Sequence, residues 1–242
     1  MKRELREDKL LETVSKNQKQ IATRFPTSGL SIVAADVVQV TQEAMARARA
    51  IRSSNRWMRA CLVLLGLIAV GGVVAYVQSR TDETTLWQRT WHFLYEAKGS
   101  AAILTAAAIF VVTSETRMKR NRALKAVHEL RAIAHIIDMH QLVKDPDWLG
   151  DPTNPPEIAG RPMDADLMGR YLHFCTELLA ITSKIGQLYV QDFPDPRSLA
   201  AVDQFELLAT GLSSKIWQKL MILDHVRSDI NWAHGPDTAR GQ

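Results

Sequence analysis

Two stretches of the chain are apolar on every side, and the remainder alternates apolar and polar residues at helical spacing. The first stretch, 60–77, reads ACLVLLGLIAVGGVVAYV without a charge. An α-helix rises about 1.5 Å per residue, and a hydrocarbon core is about 30 Å thick. With Gln78 and Ser79 included, the run predicts a membrane-spanning helix over about 57–79. Trp57 and Tyr76 lie near its ends, where amphipathic rings favour an interface. The second stretch, 99–114, reads GSAAILTAAAIFVVTS and is shorter. Lys98 can snorkel at one end, which predicts a second span over about 97–116. Gly71 and Ala75, and then Gly99, Ala102 and Ala106, leave room for another helix to come close. They fit packing of the two spans on each other, or assembly of several chains.

Outside these stretches the periodicity is amphipathic. Residues 1–25 place Leu11, Val14, Ile21 and Phe25 on one side, and Pro26 ends that segment. From Leu30 the apolar positions Val33, Val37, Val40, Ala44 and Ile51 continue at three–four spacing, with no breaker before the first span. The segment after the second span also lacks Pro and Gly through Val143, with Leu130, Ile133 and Ile137 on its apolar face. Five prolines between 145 and 162 mark a linker. Asp164 caps a helix whose stripe is Leu167, Tyr171, Phe174, Leu178, Ile181, Ile185 and Leu188. Asp195 followed by Pro196 starts the last helix, which runs to about Trp232. No strand-like alternation of useful length is present.

The expected fold is therefore all-α: a two-helix transmembrane hairpin continuous with a cytoplasmic antiparallel helical bundle. The expected organisation is 1–55 N-terminal helices, 56–116 hairpin with an external loop, 117–234 helical domain and 235–242 tail. Charge sets the expected orientation. The net charge is +4, and the excess gathers beside the apolar runs. Arg52, Arg56 and Arg59 precede the first, and Arg117, Lys119, Arg120 and Arg122 follow the second. Lys and Arg in short flanks favour the cytoplasmic side, and they can also hold lipid head groups. This predicts a multi-pass protein of the cell inner membrane with both termini cytoplasmic. The lipid bilayer is then one partner, a homo-oligomer and a cytoplasmic protein are others, and nucleic acid is not expected. The two cysteines, Cys61 and Cys175, form no CxxC and fit reduced thiols.

Candidate chemistry is sparse. His128, Arg131, His135 and Asp138 share one helical stripe, and His173 and Glu177 stand one turn apart on the next helix. Bundles build metal sites from such pairs, so His128, His135, Asp138, His173 and Glu177 are the metal-ligand candidates. The competing reading is an interhelical salt-bridge network. The alternating charges of Asp166, Arg170, His173, Glu177 and Lys184 favour that reading. Arg122 and His128 flank ALKAV, a spacing that loosely resembles the active motif of HEPN-type ribonucleases, which are helical and place Arg and His across a dimer. The polar residue usual within that gap is missing here, and no nuclease function is carried over. No P-loop, GxGxxG, GxSxG or EF-hand loop occurs, and no catalytic residue or cofactor is assigned. The reading is an integral inner-membrane protein whose cytoplasmic helical domain serves assembly, partner recruitment or signalling rather than catalysis. The alternatives are an oligomeric pore-forming or membrane-disrupting effector, and a membrane-anchored metal-dependent enzyme.

Overall fold

The computed structural model describes residues 5–52, 56–79, 86–146, 149, 157–158 and 160–233. Its helices are α1 (Glu7–Arg24), α2 (Gly29–Arg52), α3 (Arg56–Ser79), α4 (Leu86–Leu142), α5 (Ala165–Leu188) and α6 (Pro196–Ala233). A two-residue hairpin, β1 (Glu157–Ile158) and β2 (Arg161–Pro162), pairs Ile158 with Arg161. It is too short to leave a sequence alternation. Gly160 takes the left-handed conformation there, with φ 72°. The all-α class holds. The chain divides into two compact units, Ile51–Arg122 and the remainder.

The transmembrane hairpin does not hold. Among the described residues no helix is long and apolar enough to cross a membrane. In α4 the apolar stretch ends at Glu115, and the helix continues through Arg117, Lys119, Arg120 and Arg122. This corrects the two-span reading and the multi-pass inner-membrane localisation with cytoplasmic termini. It also removes the integral-membrane, pore-forming and membrane-anchored enzyme readings, all of which rest on those spans. The stretch expected as an external loop is already helical from Leu86. The expected helical continuity from Glu115 towards Val143 holds as far as Leu142, whereas the expected continuity from Leu30 into the first apolar stretch falls on 53–55, outside the described residues.

The larger unit is built around α5. Met168, Leu172 and Leu179 are buried on one side of it, and Tyr171, Leu178 and Ile185 on another. A helix that buries two faces lies between neighbours, and here α6 and α1 both pack on it. Asp164 accepts a hydrogen bond from the Leu167 amide at 2.7 Å, which fixes the start of α5. Asp195 does the same for α6, accepting from the Ser198 amide at 3.0 Å and its hydroxyl at 3.1 Å. Phe25, just beyond α1, sets its ring edge-on to Tyr171 at 5.4 Å and to Phe174 at 6.1 Å. Val33, Val37 and Ala44 of α2, and Leu130, Ala134 and Ile137 of α4, complete the core.

Candidate functional site

Helices α1, α5 and α6, with Arg161 at one end, enclose a groove of about 1130 Å³. Each wall is one helical face. Asp166, Arg170, His173 and Glu177 line it from α5, and Trp217, Leu220, Asp224 and Arg227 from α6. Their spacings of three and four residues keep each set on one side of its helix. Gly169 permits close approach of these two walls, since a Cβ there would stand 3.3 Å from Leu223 Cδ2. Lys19, Thr23 and Arg24 supply the α1 wall.

Two local pairs organise the α5 face. Arg170 Nε donates to Asp166 Oδ2 at 2.8 Å. That bond, reinforced by the charges of Arg227 and Arg24, holds the Asp166 carboxyl below its usual range. His173 Nε2 stands 3.4 Å from Glu177 Oε1. The other oxygen of Glu177 accepts from Asn17 Nδ2, a buried amide on α1. Glu177 is thus pinned from both sides. Asn17 Oδ1 has no hydrogen-bond partner among the described residues. Behind this face burial pushes the Cys175 thiol far up, which makes it an unreactive core group.

The other candidates lie apart from this groove. His128 and His135 are exposed on α4. Asp138 Oδ1 accepts from Gln141 Nε2 at 2.7 Å, and Arg131 donates to Gln204 at 3.1 Å. Glu129 pairs with Arg47, whose second nitrogen reaches Glu43 at 2.9 Å. The Glu129 hydrogen bond raises the Arg47 guanidinium, and burial pushes the nearby Tyr189 hydroxyl up to about 12. Among the described residues no three His, Cys, Asp or Glu side chains gather as metal ligands. Arg122 turns towards Met118 Sδ at 3.5 Å, and Lys119 pairs with Glu115 at 2.9 Å. Arg117 is exposed, and Arg120 is engaged in a contact of its own. The side chains of Arg52, Arg56 and Arg59 lie outside the described residues.

The smaller unit presents a different surface. Val63, Leu67, Val70 and Val74 of α3 are 47–64% exposed, at three–four spacing. Ile103, Ile109, Phe110 and Val112 of α4 are exposed as well. The small residues Gly71, Ala75, Gly99, Ala102 and Ala106 are all exposed. Among the described residues, nothing beyond the helix's own backbone lies within 4 Å of a Cβ built on Gly66, Gly71, Gly72 or Gly99.

Several residues of these surfaces carry no motif. Arg24 lies far in sequence from Trp217 and Arg227, and they line one groove only through the packing of α1, α5 and α6. An exposed Trp at position 217, beside the buried Ile216, was the one visible sign. No family model, no curated protein and no solved structure matches the chain.

Proposed function

We propose that this chain associates with further copies of itself through α3 and the first part of α4. The observation that carries the reading is the joint exposure of large apolar and small residues on these helices. A helix that is apolar all round is ordinarily covered on all sides. Covering one Val, Leu, Ile or Phe contributes about 1.5–3 kcal/mol. Among the described residues eleven such side chains are exposed on α3 and the first part of α4. Their combined burial reaches on the order of 20 kcal/mol as an upper figure, enough to offset an association cost of about 4–15 kcal/mol. The Val63, Leu67, Val70 and Val74 stripe has knobs-into-holes spacing, and the bare glycines beside it allow close backbone approach.

The test is the mass of the full chain with Leu67→Glu and Val70→Glu combined, against Leu207→Glu, which alters an exposed leucine of the larger unit. The reading expects the double variant to fall to a single chain while L207E keeps the wild-type mass. An unchanged mass for the double variant contradicts it.

A further inference from the structure

We propose that the groove between α1, α5 and α6 receives an acidic, amphipathic helical segment of a partner protein. Charge complementarity commits the groove to that chemistry. Its cations are Lys19, Arg24, Arg161, Arg170 and Arg227, against the carboxylates of Asp166, Glu177 and Asp224. Two of the three carboxylates are already engaged, Asp166 by Arg170 and Glu177 by Asn17 and His173. Lys19, Arg24, Arg161 and Arg227 form no ion pair among the described residues, and all four are exposed. Positive charge therefore remains available on the α1 and α6 walls and at the Arg161 end.

The floor supplies the apolar half of the recognition. Trp217 is 56% exposed, and Phe174 and Leu220 are half-buried beside the buried Leu223. A half-exposed Trp among arginines matches the residue types that dominate binding hot spots. The α6 wall runs from 217 to 227, about 15 Å along the helix axis or three turns. A volume of about 1130 Å³ exceeds the roughly 300–1,000 Å³ of small-molecule pockets. Open grooves of helical length with an apolar floor take amphipathic helices, whose anchors recur at three–four spacing. Basic rims then select acidic residues flanking those anchors.

The experiment uses the full chain and fluorescein-labelled synthetic peptides read by anisotropy. One peptide carries Leu and Phe anchors at three–four spacing with Glu elsewhere. A second replaces every Glu with Lys, and a third scrambles the first so that its apolar face is lost. The Glu peptide should bind saturably and more tightly than both others, and weaken as salt rises. Arg24→Glu with Arg227→Glu should weaken it tenfold or more and improve binding of the Lys peptide. Trp217→Ala should weaken the Glu peptide without shifting the charge preference. Thermal melts of both variants, equal to wild type within a few degrees, confirm that folding is intact. Absence of saturable binding overturns the proposal, as does binding indifferent to the arginine swap. Equal affinity for the scrambled peptide, or saturable binding of inorganic polyphosphate in place of the Glu peptide, would reduce the groove to a simple anion site and also overturn it.

Discussion

The His140 ring lies directly against the backbone of Gly29, so that a Cβ built on Gly29 would stand 2.2 Å from Cε1 of that ring. Gly29 is the first residue of α2, and His140 lies in the last turn of α4. Glycine is needed here for space. In an open helical position Gly→Ala stabilises by up to about 1 kcal/mol. At 2.2 Å the clash reverses that sign, because overpacking costs about 1–3 kcal/mol. Gly29→Ala should lower stability in urea unfolding, and adding His140→Ala should remove most of the difference. A stabilised single variant would show that the two helix ends are not held in contact.

The same packing sets a pH dependence. Burial first, and then the charge of Lys144, lowers the His140 pKa below its usual value. Protonation is therefore resisted in the folded state more than in the unfolded state. The resulting stability is present above the ordinary histidine pKa of about 6.5 and is lost as pH falls through the lowered one. The melting temperature should drop more steeply below pH 6.5 for the wild type than for His140→Gln. Parallel curves would contradict this assignment.

Lys219 secures the other side of the same helix end. Its Nζ donates to the carbonyls of Gln141 at 3.0 Å and Lys144 at 3.1 Å, closing the C-terminus of α4 from α6. Hydrogen bonds from a charged group contribute about 1.5–3 kcal/mol each. Lys219→Met keeps the stem and removes the donors, so a loss of about 3 kcal/mol or more is expected in denaturant unfolding. Lys215→Met, at an exposed position of the same helix, should change stability by less than about 0.5 kcal/mol.

Thr27 holds φ at 63° in the turn between α1 and α2. A β-branched residue in the left-handed region costs about 1–3 kcal/mol. Its side chain is exposed, so little packing is lost on truncation. Thr27→Gly should raise the melting temperature by a few degrees, and a fall would show that the hydroxyl's contact with the Pro26 carbonyl outweighs the strain.

Local signals proved legible where a single residue decides the outcome. Asp164 and Asp195 cap their helices as expected, because a cap needs only its own side chain and the next turn. The α5 stripe was legible in part. Tyr171, Leu178, Ile181, Ile185 and Leu188 are buried, but Leu167 and Phe174 are half-exposed at the groove. The buried Met168, Leu172, Cys175 and Leu179 fall outside that stripe. A helix packed on two sides spreads its apolar residues, and one periodic stripe cannot represent both. On α1 Leu10 is buried and Leu11 is half-exposed. His173 and Glu177 were singled out as ligands, and the structure joins them as an i,i+4 pair pinned by Asn17. The groove itself was illegible, since Arg24, Arg161 and Arg227 converge only after folding.

Association through the apolar helices is the central claim, and the mass of the purified full chain by light scattering tests it most directly. The measurement is made without lipid, in a mild detergent with the micelle contribution subtracted, and beside a flotation assay with phospholipid vesicles. The account predicts a defined multiple of the 27.1 kDa chain that persists on dilution. A single-chain mass, above all one accompanied by flotation with the vesicles, would mean that something other than a second copy covers Leu67 and its neighbours, and would contradict the account.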